Sequence, residues 1–317
     1  MVYESAGSVW CQQSTDEGGT WFSILNVAEN AKQPSLALWG NDFVIAYQKN
    51  NGTAYKIAAK VYSGSSLSDE INITSSINSY ADDAQVVAGI NPDGKIIFVW
   101  RQTASSGDAG LFYSGGIISS STFTPQLSSK IGYTSSSSST PSIGSPLVGE
   151  SSTGNLWYHY PLVWTEGSQI YSNDIQYRTS SGWQNTGSLG TPISSGDGYT
   201  TNYNPSVVSY GATGGYAAWV GYRRELIDGQ RIPVNRTIAK DLSTGTFGAY
   251  GDNVNTVNVN KNSTGMTDQN YAVAWSYNSG TSTLYRLNNG IIGDFRNGAT
   301  NIYGRDVQFA NGTSFTD

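Results

Sequence analysis

The amino-acid sequence predicts an all-β protein made of repeated four-stranded units, and three observations lead to this fold class. The 317-residue chain contains 37 Gly, 21 Tyr and 9 Trp but only 13% charged residues, a composition that favours short strands and tight turns. No segment has the Glu, Lys, Leu and Ala content of a long amphipathic helix. A short β-rich run ending in an aromatic residue recurs along the whole chain, so we expect one domain spanning residues 1–317.

The recurring run sets the number of units. Its copies end about 53 to 64 residues apart, at Tyr47, Trp100, Trp164, Trp219 and Trp275. This interval suits one four-stranded blade of a β-propeller together with its loops. Val2 and Tyr3 resemble the end of a sixth copy. The sequence therefore predicts a six-bladed β-propeller with antiparallel blades.

A second repeated signal lies about ten residues before most of these runs. It begins at Pro34, Ala84, Pro141 and Pro205, and each copy predicts the innermost strand of a blade. Proline is compatible with the first residue of a strand, where a missing N–H breaks no ladder bond. We therefore expect these prolines at strand starts.

The two chain ends predict how the ring closes. Residues 306–317 resemble a first strand, a turn and the start of a second strand, whereas Val2 and Tyr3 resemble the end of a second strand. We expect the N- and C-terminal strands to share one closing blade, because such pairing protects sheet edges that would otherwise be open.

The sharpest short motif comprises Ser14, Asp16, Gly18 and Trp21. Ser and Asp side chains can bind turn N–H groups, Gly admits positive φ, and Trp can fill the space between sheets. This spacing resembles the Asp box of the sialidase-like β-propeller proteins. The resemblance implies a turn between the third and fourth strands of a blade, and it indicates a fold more than an activity.

Composition argues against several partners. The formal net charge of −6 disfavours nucleic-acid binding, and no run of about 18 apolar residues would cross a membrane. Low Lys with abundant Ser, Thr, Asn and Tyr is typical of secreted or cell-surface proteins. The start of the chain lacks a basic region followed by an apolar core, so we expect no signal sequence within it. We also expect a monomeric domain.

The interpretation that we favour from the sequence is a non-catalytic binding or adhesion protein, with a glycan or a neighbouring surface protein as its ligand. Aromatic rings can stack on sugar faces while polar groups orient the hydroxyls. The candidate ligand-binding residues are Trp157, Tyr199, Tyr203, Arg101, Glu166 and Arg224. A structural scaffold within a larger secreted protein is an alternative.

A sialidase-like glycoside hydrolase is the catalytic alternative that the resemblance implies. Such an enzyme would need three arginines around a substrate carboxylate, a Tyr nucleophile activated by a Glu, and an Asp acid. These groups would lie where second strands end and innermost strands begin. The candidates are Arg101, Arg223 or Arg224, and Arg305 for the arginines, Tyr222 or Tyr203 with Glu166 or Glu225 for the nucleophile, and Asp82 or Asp83 for the acid.

The sequence predicts no cofactor. His159 is the single histidine, which disfavours a zinc site or a Ser-His-Asp triad. No Gly-rich loop follows a strand and opens a helix, so nucleotide binding has no support. Calcium is the alternative that stays open, at Asp82 with Asp83 or at Asn173 with Asp174.

Overall fold

The computed structural model describes twenty ranges of the chain. They are residues 1–14, 20–39, 41–52, 55–64, 66–74, 80–88, 94–103, 110–119, 121–131, 141–144, 146–150, 152, 154–185, 192–210, 214–227, 230–242, 275–277, 285–287, 308–310 and 314–316. Within these ranges all regular structure is β-strand. The prediction of an all-β protein is therefore confirmed for this part of the chain.

The chain divides into two compact units. Unit 1 contains Met1–Pro146 and Ser181–Gln184, and unit 2 contains Leu147–Ser180 and Asn185–Asp317. The first thirteen strands are β1 (Val2–Ser5), β2 (Ser8–Gln13), β3 (Phe22–Glu29), β4 (Ala31–Trp39), β5 (Asp42–Asn50), β6 (Tyr55–Ser63), β7 (Ser66–Leu67), β8 (Ile71–Asn72), β9 (Tyr80–Ala88), β10 (Lys95–Thr103), β11 (Gly110–Ser119), β12 (Thr122–Ile131) and β13 (Ser142–Ile143).

The remaining strands follow in chain order. They are β14 (Leu147–Glu150), β15 (Leu156–Glu166), β16 (Gln169–Arg178), β17 (Gly182–Asn185), β18 (Thr201–Tyr210), β19 (Gly214–Ile227), β20 (Gln230–Asp241), β21 (Trp275–Tyr277), β22 (Tyr285–Leu287), β23 (Gln308–Ala310) and β24 (Ser314–Thr316).

Most strands pair with their neighbours along the chain, and every described pairing is antiparallel. Unit 1 contains sheet 1 (β1-β2-β3), sheet 2 (β4-β5-β6-β7, with β8 also on β6) and sheet 3 (β9 to β12). Unit 2 contains sheet 4 (β14-β15-β16), sheet 5 (β18-β19-β20) and sheet 6 (β21 to β24). The prediction of antiparallel sheets is confirmed in the described residues, although sheets 1 and 5 each have three strands there rather than the predicted four. The arrangement of the sheets as a six-bladed ring stays a prediction.

The aromatic residue that closes each repeated run lies in the core. Tyr47, Trp100, Trp164 and Trp219 are each at most 1% exposed. In β5 the whole stretch from Val44 to Tyr47 has no exposed surface, because both faces of this central strand are covered. Such strands read as continuous apolar runs rather than as alternating ones, which is why the repeat is visible in the sequence.

The innermost strand of three sheets has a bulge opposite the closing aromatic residue. At each place the register shifts, so that two residues of the innermost strand face one residue of the next strand. The bulged pairs are Gln33 and Pro34 opposite Tyr47, Asp83 and Ala84 opposite Trp100, and Asn204 and Pro205 opposite Trp219.

The bulges correct the predicted position of the prolines. Pro34 lies inside β4, which begins at Ala31, and Pro205 lies inside β18, which begins at Thr201. A bulge leaves one residue out of the hydrogen-bond ladder, so an imino acid there removes no ladder bond. Bulge formation, rather than strand initiation, accounts for these prolines.

The predicted turn motif lies in the hairpin of β2 and β3. Ser14 follows β2 and Trp21 precedes β3, while Asp16 and Gly18 fall outside the described residues. Trp21 is 43% exposed, so the expected burial of its ring between sheets is wrong. The ring adjoins β3, which is an edge strand of sheet 1, and the described strands supply no neighbour on that side.

The expected sharing of a closing sheet by the two chain ends is also not what the described pairings show. Phe309 of β23 pairs with Phe315 of β24 and with Tyr285 of β22, whereas Val2 of β1 pairs with Cys11 of β2. Pairing between consecutive strands closes shorter loops and therefore has a lower entropic cost.

Candidate functional site

In unit 2, charged and aromatic side chains lie close together and partly buried where β19 extends beyond the core. Tyr222, Arg223 and Arg224, predicted to lie at the end of a second strand, lie within β19 and pair with β20 as far as Ile227 and Gln230. The hairpin extends beyond these residues, so their backbone lies within a hydrogen-bonded ladder.

The segment before β18 brings Tyr199 onto this hairpin. Thr200 donates two hydrogen bonds to the carbonyl oxygen of Tyr222, one from its backbone N–H and one from Oγ1, both at 2.9 Å. The guanidinium carbon of Arg223 lies 4.8 Å from the centre of the Tyr199 ring, a distance at which a cation is attracted by the ring face. Two residues predicted to bind ligand or substrate are thus in contact.

Two glycines make this contact possible. A Cβ at Gly221 would lie 2.6 Å from Cγ of Tyr199 and 2.4 Å from Cδ1 of Ile238, so any larger residue would displace the ring. Gly198 has a φ of +80°, which glycine adopts without the steric penalty of a side chain. The backbone therefore turns sharply just before Tyr199.

Asp197 lies next to this turn and receives hydrogen bonds from two elements. The indole Nε1 of Trp219 donates to Oδ2 of Asp197 at 3.1 Å and to Oδ1 of Asn202 at 3.0 Å. The backbone N–H of Tyr199 donates to Oδ1 of Asp197 at 2.9 Å. We call Asp197, Tyr199, Asn202, Trp219 and Arg223 the Asp197 cluster.

The electrostatics of the cluster are set mainly by burial. Loss of water around Asp197 raises the pKa of its carboxyl group, and the hydrogen bonds from Tyr199 and Trp219 oppose the shift without cancelling it. Burial likewise lowers the pKa of Lys240, whose Nζ donates to the carbonyl oxygen of Ile193 at 2.7 Å. A carboxyl group with a raised pKa is one that can keep or release a proton closer to neutral pH.

A second carboxylate is linked to the cluster through the turn after β15. Oε2 of Glu166 accepts a hydrogen bond from Trp164 Nε1 at 3.3 Å. Two residues later, the carbonyl oxygen of Ser168 accepts a bond from the backbone N–H of Asn202 at 2.9 Å. Glu166 and Asp197 therefore belong to adjoining segments of unit 2, each bound to the buried indole of its own sheet.

Trp157, another predicted ligand contact, lies on a polar face of sheet 4. Arg178 approaches its ring at 5.9 Å, and His159 meets it edge-on at 6.5 Å. Oδ2 of Asp174 accepts one hydrogen bond from Gln176 Nε2 at 2.6 Å and lies 2.9 Å from His159 Nδ1. Trp157 is the second residue of β15 and is partly buried, and its role in ligand binding stays a prediction.

Among the described residues, neither candidate calcium site has a set of metal ligands. Asp174 already contacts His159 and Gln176, and only the backbone of Asp82 and Asp83 is described. Across the described ranges, no three carboxylate, thiol or imidazole groups are grouped as metal ligands. The same ranges hold no helix that is long and apolar enough to span a membrane.

For the other predicted site residues, the strand pairing gives the position along the backbone. Arg101 pairs with Asp82 across β10 and β9, which brings the end of a second strand beside the start of an innermost strand, as predicted. Tyr203 pairs with Val220 within sheet 5. Glu225 lies in β19 with only its backbone described, and Arg305 lies outside the described residues.

Sequence reasoning missed Asp197 and Asn202. Asp197 lies between two glycines that both have positive φ, in a segment with turn hydrogen bonds from Ser195 to Pro192 and from Asp197 to Ser194. The signal that could have identified it is a carboxylate in a Gly-Asp-Gly turn directly before an innermost strand. In the sequence this turn looks like any other polar loop.

Comparison with known proteins gives structural likenesses at low identity. No protein-family model matches the sequence, and no curated protein matches it. A thermostable family-43 glycoside hydrolase is 14% identical, with 75% of this chain and 88% of that chain covered and a TM-score of 0.34.

Two further solved structures are similar to the same degree. An α-L-arabinofuranosidase from Fusarium graminearum is 18% identical, with 69% of this chain and 64% of that chain covered and a TM-score of 0.39. An endo-arabinase from Bacteroides thetaiotaomicron is 11% identical, with 74% and 87% covered and a TM-score of 0.38. All three TM-scores are below 0.5.

Proposed function

We propose that the chain is a glycoside hydrolase and that the Asp197 cluster is part of its active site. The observation that supports this most directly is the half-buried carboxyl of Asp197, whose pKa is raised by burial. Most glycosidases use two carboxyl groups, and the acid must hold its proton near neutral pH. Asp197 is the proposed general acid and Glu166 the proposed second carboxylate.

The surroundings of Asp197 suit a sugar substrate. The Tyr199 ring, whose position is maintained by Thr200 and Gly221, would stack on a pyranose or furanose ring. Arg223 would add hydrogen bonds from the same face of β19 as Trp219 and Gly221. Aromatic stacking combined with a few placed polar groups is the usual chemistry of small-ligand sites.

The test is turnover of a panel of chromogenic glycosides that includes a sialoside and an α-L-arabinofuranoside. Asp197→Asn should lower kcat on any accepted substrate by about 100-fold or more, since general acid catalysis typically contributes that much. The matched control is Asp174→Asn, which changes a carboxylate of the same unit that contacts His159 instead. Full activity in Asp197→Asn, or no hydrolysis across the panel, would contradict the proposal.

The narrower, sialidase-like version depends on the sequence motif. In it Tyr222 would be the nucleophile, and Arg223 would be one of the arginines that bind the substrate carboxylate. Turnover of the sialoside alone, lost in Tyr222→Phe, is the result that would favour this version.

Glycan binding without turnover is the second candidate, and the contact of Arg223 with Tyr199 favours it, because this pair needs no catalytic carboxylate. A glycan array would then show binding that Tyr199→Ala abolishes and Asp197→Asn preserves. Secretion or surface display, and a surface protein as partner, stay predictions of the sequence.

A further inference from the structure

The hairpin of β19 and β20 extends beyond the third strand of sheet 5. Strand β18 pairs with β19 only as far as Tyr222, whereas β19 and β20 stay paired for five further residues each. We call residues 222–227 and 230–235 the ribbon. Two strands alone bury little apolar surface, and Leu226 within the ribbon is 72% exposed. The ribbon therefore adds surface rather than core to unit 2.

The ribbon lies in a basic part of an otherwise acidic chain. Residues 222–240 contain five Lys or Arg and two Asp or Glu, whereas the rest of the chain contains 12 basic and 21 acidic residues. The local net charge is thus +3, although the whole chain has a net charge of −6. A local excess of one sign attracts ligands of the opposite sign and orients their approach. We therefore expect an anionic ligand here.

Strand alternation divides the ribbon into two faces. Arg223 lies on the face that belongs to the Asp197 cluster, so Tyr222, Arg224 and Leu226 lie on the opposite face. Arg231 is paired with Leu226 and shares its face. We call Tyr222, Arg224, Leu226 and Arg231 the ribbon face. None of the six paired ribbon positions on this side is Asp or Glu.

The two arginines of the ribbon face are exposed and close together. Arg224 and Arg231 occupy diagonal positions of the paired strands, with Cα atoms about 7–8 Å apart. Nε of Arg224 donates a long hydrogen bond to the Tyr222 hydroxyl at 3.5 Å, which leaves its two terminal nitrogens for a ligand. Among the described residues, neither guanidinium forms an ion pair. Each can bind a carboxylate through two parallel N–H donors.

The uncharged residues of the ribbon face suit sugar rings better than nucleic-acid bases. Leu226 is the most exposed large hydrophobic residue among those described, and Tyr222 is partly exposed. Apolar and aromatic side chains can pack on the C–H faces of sugar rings. Single-stranded nucleic acids instead stack successive bases on several aromatic rings, and Tyr222 is the one aromatic residue at the six positions.

We propose that the ribbon face binds an acidic polysaccharide, whose carboxylates pair with Arg224 and Arg231 while a sugar ring packs on Leu226. The choice of a polysaccharide over another polyanion rests on the proposed hydrolase function. The inference adds a substrate class to that function, namely polymers that contain uronate residues. Because the ribbon begins beside Arg223 of the Asp197 cluster, a polymer bound on it is held next to the proposed active site.

The test measures binding of the full chain to polygalacturonate, to dextran and to a single-stranded oligothymidylate. Polygalacturonate should bind, more weakly as salt is added, and the other two should bind at least tenfold more weakly. Arg224→Gln/Arg231→Gln should raise the Kd for polygalacturonate at least tenfold. The matched variant Lys56→Gln/Lys60→Gln, which removes two charges from β6, should change it less than twofold.

Several results of these titrations would overturn the proposal. They are no binding of polygalacturonate, equal binding of dextran, equal or tighter binding of the oligothymidylate, and equal losses in the two double variants.

A second variant tests the ribbon face without removing an arginine. Leu226→Asp places a carboxylate beside Arg231 and should raise the Kd for polygalacturonate at least tenfold. The matched variant is Leu38→Asp on β4, where the side chain is 62% exposed, and it should leave the Kd unchanged. Both positions are largely exposed, so both variants should fold. An unchanged Kd in Leu226→Asp would overturn the proposal.

Binding and hydrolysis are scored separately, so failure of one proposal can be told from failure of the other. Asp197→Asn should bind polygalacturonate with an unchanged Kd. Binding that depends on the two arginines, in a chain that hydrolyses no glycoside, would support the ribbon face and refute the hydrolase. Hydrolysis of neutral glycosides without binding of polygalacturonate would overturn the ribbon face alone.

Discussion

The indole nitrogen of Trp219 lies 3.1 Å from Oδ2 of Asp197 and 3.0 Å from Oδ1 of Asn202. A single N–H is thus shared by two acceptors, one of them a carboxylate with a raised pKa. This hydrogen bond connects the core of sheet 5 to the proposed catalytic group. A substitution of Trp219 in the core should therefore change the environment of Asp197.

The shared indole predicts the effect of Trp219→Phe. This variant keeps most of the buried ring but leaves both acceptors without their donor, so the free energy of unfolding should fall by about 1–3 kcal/mol. Urea unfolding monitored by circular dichroism measures the change. The comparison is Trp21→Phe at an exposed position, which should change stability by less than about 0.5 kcal/mol, and equal losses in the two variants would contradict the prediction.

The raised pKa of Asp197 predicts a specific dependence of stability on pH. The unfolded carboxyl titrates near its ordinary value of 3.8, while the folded one holds its proton to higher pH. The stabilising contribution of the protonated form is therefore complete below pH 3.8 and is lost as pH rises through the folded pKa. The difference in unfolding free energy between the unchanged chain and Asp197→Asn should fall over this interval, and urea titrations from about pH 3 to 7 would measure it. A difference that rises with pH would show that the carboxylate is stabilised in the fold.

The close approach of Tyr199 to Gly221 predicts an energetic coupling. Gly221→Ala should destabilise unit 2 by about 1–3 kcal/mol, because the new methyl group overlaps the ring. In a Tyr199→Ala background the same change should cost at least about 0.5 kcal/mol less. A double-mutant cycle measures this coupling, and strictly additive effects would mean that Ile238 alone opposes the methyl group.

The bulge opposite Trp219 predicts where proline is tolerated in β18. Pro205→Ala should lower stability by only about 0.4–1 kcal/mol, through greater freedom of the unfolded chain. Ser206→Pro should destabilise the fold more than Pro205→Ala does, because Ser206 is buried and paired with Ala218, whereas Pro205 lies in the bulge. Thermal unfolding of both variants tests the difference, and a well-tolerated Ser206→Pro would place the bulge elsewhere.

The core was predictable from the sequence because it depends on local pattern. Tyr47, Trp100, Trp164 and Trp219 end apolar runs, and all four are buried. The bulges were not predictable, since strands covered on both faces show no alternation that a register shift could interrupt. Pro34 lies in the innermost strand, as predicted, but within a bulge rather than at the first residue of the strand.

The candidate site was predictable in part. Tyr199 and Arg223 were recognised as aromatic and charged residues near strand ends, and the structure brings their side chains together. Asp197 was not recognised, because its raised pKa comes from burial by residues far away in the sequence. Trp21 is the opposite case. Its motif matches the expected pattern, but the predicted burial of its ring is wrong.

The unpaired indole of Trp100 also has an optical consequence. A tryptophan that is 1% exposed and donates no hydrogen bond among the described residues should emit at the short-wavelength edge of the protein's fluorescence. Unfolding of sheet 3 would bring water to this indole and shift that edge toward longer wavelength. The fluorescence of Trp100 should therefore report the folded state of sheet 3 without a label.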